Sequence, residues 1–397
     1  PATRSPSSSD ANRGLTPPDP REGWLRRSAR PDGAVSRSAL VLGAGIFGAA
    51  LADRLVGAGW EVTLVDRFEP GDPRSESGGE TRLLRYSHGA DGFYSASAWR
   101  ARSIWLELGV LVEAGVVWFA RREGGWESDS ERVLREQGIP AERLDPAAAA
   151  RLYPSLAVDD LAFALHEPAA GVLRAGDGVR ALVGRAREGG LRLVRGEAQP
   201  DGESVLVDGR RLEADQVIWA CGGWLAQLFP SLVRLRVTRQ DVVLFEAGPD
   251  WADAPGWIDF DASAYGHALI EPHGVKIASD REGEPVEPGL RPPRAPAASL
   301  AAARDYLTHR FPALANAPVR SAPSCHYSLT ADGNFLFARH PEHERVWLLG
   351  GGSGHGYKHG PAVAQHALAV LAGEAEPEPR FALGERARSR ALRTAGS

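Results

Sequence analysis

Apolar residues along this chain fall into short blocks separated by glycine, proline and charge. The first block is continuous. Ala39, Leu40, Val41 and Leu42 read as a short strand with both faces buried. A glycine-rich turn follows, and the pattern then becomes helical to about Val56, where Gly57 and Gly59 stop it. Residues 61–65 make a second strand with Asp66 at its end, completing a strand–turn–helix–strand unit. An apolar stripe through Trp99, Ile104, Trp105, Leu108, Leu111 and Val112 predicts a helix over 99–115, and residues 172–189 predict another. Residues 116–165 mix short strands with helical turns. Residues 191–219 read as short strands around turns at Asp201-Gly202 and Asp208-Gly209. Between 231 and 324, strand-like runs at 232–239 and 242–245 alternate with proline and glycine turns, as in an antiparallel sheet. Near the end, Val346, Trp347, Leu348 and Leu349 form a buried strand. It leads into a loop rich in glycine over 350–360, and Pro361 opens a helix to about Leu371.

The two ends differ from this pattern. Residues 1–37 are rich in Ser, Pro, Arg and Asp, and hold too few apolar side chains to order themselves. They are expected to be a disordered arm, with a docking segment around Trp24 and Leu25 as the alternative. The tail over 386–397 is basic and, after Arg386, expected to be solvated.

A chain of 397 residues suits two joined domains or one large one. With a net charge of -5, neither nucleic acid nor an anionic membrane surface is expected as a partner. The longest apolar stretches are broken by charges such as Asp53, Arg54, Glu107 and Glu113, so no membrane span is expected, and the N-terminus has no apolar signal segment. The two cysteines, Cys221 and Cys325, are too few for a disulfide framework, which makes the cytoplasm the expected compartment. One bias changes the picture. Lysine occurs only at Lys276 and Lys358, and every other basic residue is arginine. A lysine that persists against such a bias marks a place where a compact ammonium is needed.

Gly43-Ala44-Gly45-Ile46-Phe47-Gly48 gives the spacing G-x-G-x-x-G between a strand and a helix, with Asp66 beyond the second strand. Gly43 permits the tight turn, Gly45 brings backbone amides to a pyrophosphate at the helix N-terminus, and Gly48 lets the helix pack on the sheet. The carboxylate of Asp66 accepts from both ribose hydroxyls and repels a 2′-phosphate, which disfavours NADP. The fingerprint reads the ADP half common to FAD and NAD, so it leaves both open.

Four segments carry a resemblance to the FAD-dependent D-amino-acid oxidase superfamily, and within it to monomeric sarcosine oxidases and N-methyltryptophan oxidases. They are Gly78-Gly79-Glu80-Thr81-Arg82-Leu83-Leu84-Arg85, Val217-Ile218-Trp219-Ala220-Cys221-Gly222-Gly223-Trp224, Cys325-His326-Tyr327 and Gly352-Ser353-Gly354-His355-Gly356-Tyr357-Lys358. The resemblance runs from about 39 to 385. It implies an α/β and α+β architecture: a Rossmann-like, glutathione-reductase-like FAD-binding domain with an antiparallel-sheet substrate domain. Residues 38–95, 150–230 and 325–385 would form the first, and 96–149 and 231–324 the second. It also implies FAD, held by the first glycine loop, Asp66, Arg67, Thr81, Arg82 and the second glycine loop, and joined to Cys325 by a thioether. Cys221 is expected to be a small buried hydrophobe.

The same resemblance implies the chemistry. Arg85 and Lys358 would hold the substrate carboxylate, Arg82 would flank the ring, and Tyr265 and Tyr327 would line the pocket. Lys276 would promote the reaction of reduced flavin with oxygen. A histidine of sarcosine oxidases, four positions after that lysine, is replaced here by Asp280. This departure disfavours sarcosine and suits a bulkier or more basic substrate. The expected activity is oxidation of the C–N bond of a small amino or N-alkyl amino acid, with oxygen giving hydrogen peroxide. The alternatives are a dehydrogenase that uses a quinone or carrier, an NAD enzyme, and a flavin-binding module without activity. His340-x-x-His343 and His355-x3-His359 have metal-like spacing, but they lie in loops with no third ligand indicated, so no metal is expected.

Overall fold

The computed structural model describes residues 37–270, 274–289 and 294–388. The arm with Trp24 and Leu25 therefore lies outside the described residues, as do Glu271 to His273 and the last part of the tail. Strand β1 (Ser38–Leu42), helix α1 (Ile46–Gly57) and strand β2 (Glu61–Asp66) follow the expected unit closely. They form the middle of a six-stranded sheet in the order Leu336–Arg339, Val346–Gly350, Gln216–Trp219, β1, β2, Arg192–Arg195. Its strands are parallel except for Leu336–Arg339, which runs antiparallel at one edge. The strand interiors are apolar because helices such as α1 and Ala175–Glu188 cover the sheet, and α1 packs against both that helix and Gly360–Ala372.

A nine-stranded sheet makes the second layer. Its spine is Arg236–Phe245, Val275–Ser279, Ala264–Ala268, Gly256–Asp259, Val116–Ala120 and Phe163–Glu167. Pairing is antiparallel throughout except where Gly256–Asp259 meets Val116–Ala120. Ser324–Leu329, with Cys325, pairs along Arg236–Phe245, so the cysteine strand belongs to this sheet. A short antiparallel ladder between β3 (Thr81–Leu84) and Gly171–Arg174 belongs to a separate three-stranded sheet.

Three expectations change. The helix expected over 99–115 is α2 (Gly92–Glu107), whose N-cap Asp91 accepts from the amide of Phe93, while Gly109 at φ +66° ends the helical path before a strand at Leu111–Val112. The helix expected over 172–189 is a strand to Arg174 followed by Ala175–Glu188, because Val172 and Leu173 are taken up by the ladder to β3. Ala297–Arg310 is a helix that the alternation of the surrounding strands concealed. Its last residue is fully buried, donating to Asp160, Asp259 and the Ala157 carbonyl. Arg386, just before the segment expected to be solvated, bonds the carbonyls of Asn334 and Phe335. No helix among the described residues is long and apolar enough to cross a membrane.

Candidate active site

A groove with about 1150 Å³ of empty space, open to solvent, runs from the end of β1 to the second sheet. Its outer end is built by the first glycine loop. Gly43 sits at φ +108°, and a Cβ there would come within 2.4 Å of the Ala220 carbonyl oxygen. A Cβ at Gly48 would lie 1.9 Å from the carbonyl oxygen of Gly43, so the helix can start this close to the strand only with glycine. Asp66 accepts from the amides of Ala44 at 2.6 Å and Phe68 at 2.7 Å, which fixes its carboxylate at the groove edge. Burial pushes its pKa up, and these amides with Arg67 and Arg195 oppose the shift. Arg67 lines the same end, its guanidinium 5.2 Å from the Trp224 ring. Ser77 was not anticipated; its hydroxyl accepts from the Ile46 amide at 2.8 Å, closing the first turn of α1.

The second glycine loop forms the opposite wall, with Gly352, Gly354, Gly356 and Tyr357 facing Ile46 and Phe47. Tyr357 donates to the Ala175 carbonyl at 2.5 Å and stacks on Trp105 with ring centroids 5.5 Å apart. Cys221 donates to the Leu42 carbonyl, and burial pushes its thiol up, which is the inert behaviour expected of it.

At the inner end the cations gather. Arg82 donates to the carbonyls of Glu76, Gly78 and Thr81, and its Nη2 lies 3.6 Å from Cys325 Sγ. Burial works against its charge, but Cys325, Tyr265 and Tyr327 outweigh that and hold its pKa up. Lys276 is buried, and its Nζ donates to the Thr81 carbonyl at 3.1 Å. Burial, with Arg82 adding to it, lowers this amine to about 7. Facing Lys276 in register is His267, which sequence reasoning missed. Its Nδ1–H donates to the Ala268 carbonyl, so Nε2 accepts from the Thr81 hydroxyl at 3.0 Å. Burial, then Lys276, push it down to about 3, and it stays neutral. The signal available was alternation, because Tyr265 and His267 share one strand face.

Tyr265 and Tyr327 meet hydroxyl to hydroxyl at 3.0 Å, and burial raises Tyr327 well above the usual phenol range. Arg85 donates to the Ser87 carbonyl at 2.6 Å and lies over Trp118. Burial lowers it to about 10, with Glu167 opposing. Glu167 was also missed. Fully buried, it accepts from the amides of Tyr86 and Ser87, the Ser87 hydroxyl and the Trp118 indole. Lys358 is 2% exposed and donates to the His355 carbonyl at 3.1 Å, with burial and then Arg85 pushing its pKa well down. Asp280 is half-buried just past the end of Val275–Ser279, its amide bonded to the Ser263 carbonyl.

The structure also brings His88, from the loop after β3, to His355 and His359, so the trio has the third member that the spacing alone did not indicate. His340 and His343 stack on each other at 4.4 Å and gain no such partner among the described residues.

Arg82, Tyr327 and Tyr357 line the groove together with both glycine loops. The model of the family described as FAD dependent oxidoreductase (DAO) matches residues 38–369. The chain is 26% identical over 357 residues to monomeric sarcosine oxidase of Bacillus sp. (strain B-0618), which covers 82% of this chain and 90% of the relative. It is 24% identical over 345 residues to N-methyl-L-tryptophan oxidase of Salmonella arizonae, covering 82% and 92%. Among solved structures, L-proline dehydrogenase from P. horikoshii matches with a TM-score of 0.78 at 20% identity, over 87% of this chain and 96% of that one. NikD, described as an unusual amino acid oxidase, matches with a TM-score of 0.72 at 18% identity, over 87% and 98%. At these identities the two structures speak to the fold alone.

Proposed function

The chain belongs to the FAD-dependent oxidoreductase family DAO, and on that premise we propose that it oxidises the C–N bond of an amino or N-alkyl amino acid, with oxygen as acceptor. Membership makes it an FAD-dependent amine or amino-acid oxidoreductase; the substrate and the acceptor are our reading. Bound FAD supplies the two-electron acceptor for the C–H bond beside nitrogen. The first glycine loop and Asp66 hold the ADP half, while Thr81, Arg82 and the turn from Gly352 to Lys358 cradle the ring end. Cys325 would tether it, its Sγ 3.6 Å from the Arg82 guanidinium.

The observation that carries the reading is the burial of both lysines of the chain at this inner end, 5% and 2% exposed. Lys358 and Arg85 form a buried cationic pair with little counter-charge beyond Glu167. A substrate carboxylate supplies that charge and opposes the burial that lowers Lys358. Tyr327 and Tyr265 close the other side of the pocket. Lys276 places an ammonium where negative charge develops when oxygen is reduced, and Thr81 and His267 fix its orientation. This favours the oxidase over a dehydrogenase feeding a quinone or carrier. Asp280 stands in the place where sarcosine oxidases carry a histidine, and its carboxylate favours a substrate with a cationic amine larger or more basic than sarcosine.

Anaerobic mixing with a panel of N-alkyl amino acids, basic and aromatic members included, should bleach the flavin colour with at least one member. Air-saturated buffer should then restore it quickly with release of peroxide. Bleaching without fast re-oxidation assigns the dehydrogenase reading, and no bleaching by any member rejects the amino-acid substrate.

A further inference from the structure

Behind Lys358 lies a cluster that the oxidation chemistry does not use. His88 and His359 are fully buried and His355 is 5% exposed. Ring centroids are 5.9, 5.3 and 5.5 Å apart for the pairs His88–His355, His88–His359 and His355–His359. One nitrogen of each ring lies within 4.8 Å of those of the other two.

Each ring has one nitrogen engaged. His88 Nδ1 meets the Tyr86 carbonyl at 2.9 Å, His355 Nε2 meets the Gly333 carbonyl at 3.0 Å, and His359 Nδ1 meets the Ser97 hydroxyl at 3.1 Å. A carbonyl can only accept, so His88 and His355 must carry their proton on that side. The other nitrogens, His88 Nε2, His355 Nδ1 and His359 Nε2, are buried and have no hydrogen-bond partner. Two of them present a bare lone pair, and the third does so when His359 donates to Ser97. Buried polar atoms left unpaired are rare and unfavourable. One water has two protons and can satisfy two lone pairs, leaving the third stranded. Neutral imidazole with its far N–H held by an oxygen is the form in which histidine ligates metal.

We propose that His88, His355 and His359 form a buried three-histidine site for a divalent ion of the zinc class. Imidazole donors with no carboxylate among them select zinc or copper over calcium or magnesium. Zinc–nitrogen bonds of about 2.0–2.1 Å place tetrahedral ligands about 3.3 Å apart, so nitrogens that lie within 4.8 Å of one another close by up to about 1.5 Å on loading. The nearby formal charges, Arg85 and Lys358, are cationic, so the bonds to nitrogen carry the affinity. The ion ties together the loop after β3, the second glycine loop and the turn Tyr357–His359, and thereby fixes the segment that carries Lys358.

The test uses the purified flavoprotein, stripped with a strong chelator, reloaded with Zn²⁺ or Co²⁺ and dialysed against metal-free buffer. Metal content by mass spectrometry is expected at about one equivalent per chain. The cobalt form is expected to show the visible bands of a tetrahedral nitrogen site after subtraction of the flavin. His88→Asn and His359→Gln should each lower the retained metal about tenfold or more with flavin content unchanged, while His340→Ala retains it. Zinc should raise the thermal midpoint of the parent and not of these variants. Less than about a tenth of an equivalent in the reloaded parent overturns the proposal, and so does full retention by His88→Asn. Should a variant lose its flavin and fold, the parent's stoichiometry and cobalt bands decide alone. None of these readouts depends on amine oxidation, so their failure is separate from failure of the functional reading.

Discussion

Lys276 shows how one side chain can bear on both chemistry and stability. Its amine, lowered to about 7 by burial, is an ammonium mainly below neutrality. The rate of flavin re-oxidation in the ligand-free reduced enzyme is therefore expected to fall as pH rises through that value. Lys276→Met should slow the oxygen reaction by about 10²–10³, the usual effect of removing one electrostatic donor, while anaerobic bleaching changes little. Stopped-flow mixing separates the two, and equal loss in both half-reactions would contradict the assignment. For stability the sign runs the other way. The folded state resists the proton that the unfolded lysine takes up, so stability rises with pH between about 7 and the ordinary lysine value of 10.5; as pH falls this contribution is lost by about 7 and is flat below it. The methionine variant should lack this component in urea titrations at different pH. At Cys325, replacement by serine should send the yellow colour into the supernatant on acid precipitation, where the parent keeps it in the pellet. Retention by the serine variant would exclude the thioether. Both lysines were legible in the sequence because arginine supplies every other positive charge. His267 and Glu167 were not, because a single histidine on an alternating strand reads as core and a lone glutamate at a strand end reads as surface. Their partners, Thr81, Tyr86 and Ser87, arrive from a distant stretch of chain.

Among the elements, the turn between β1 and α1 tolerates least. Gly48→Ala places a methyl against the Gly43 carbonyl, backbone on backbone, where no side chain can yield. It should destabilise the fold by about 1–3 kcal/mol or more and weaken FAD retention, as read by urea midpoints and by the flavin content of the purified variant. Unaltered flavin content would show that the strand and helix can part without disturbing the cofactor trough. This element was readable because its glycines, its apolar strand and Asp66 all agree with one another. The misjudged elements were those where agreement failed. The stripe from Trp99 to Val112 continues past Gly109 into a different conformation, and the N-cap Asp91 lay upstream of the first stripe residue. The apolar pair Val172 and Leu173 is short enough to suit helix or strand, and only the ladder to Thr81–Leu84 decides.

On the scale of the whole molecule, the two sheets are interwoven by a chain that passes between them several times. Ser324–Leu329 ties the groove wall, through His326 and Tyr327, to the second layer. The second sheet is fastened to its own covering helix by Arg310, which is fully buried and shared between Asp160 and Asp259. Removing it takes one of two arginines from buried Asp259, leaving Arg121 and the Ala262 amide among the described residues. Arg310→Leu should destabilise by about 3–5 kcal/mol, measured as a lower urea midpoint. Alanine at the exposed Arg345, paired with Glu203, should alter it by less than about 1 kcal/mol. A comparable effect at both positions would deny the buried network its role. This network could not be read from the sequence, where one arginine among many carries no mark of burial.

The scarcity of lysine gives the folded protein an unusual surface chemistry. Apart from the amino terminus, an acylating or alkylating reagent aimed at primary amines finds nothing outside the groove to modify, and a lysine-directed protease finds no accessible peptide bond. A reagent small enough to pass inward beyond Arg82 would meet at buried Lys276 an amine with a pKa lowered to about 7. Amine labelling is therefore a direct footprint of entry into this one site, and its suppression by a candidate carboxylate ligand would report binding without any turnover.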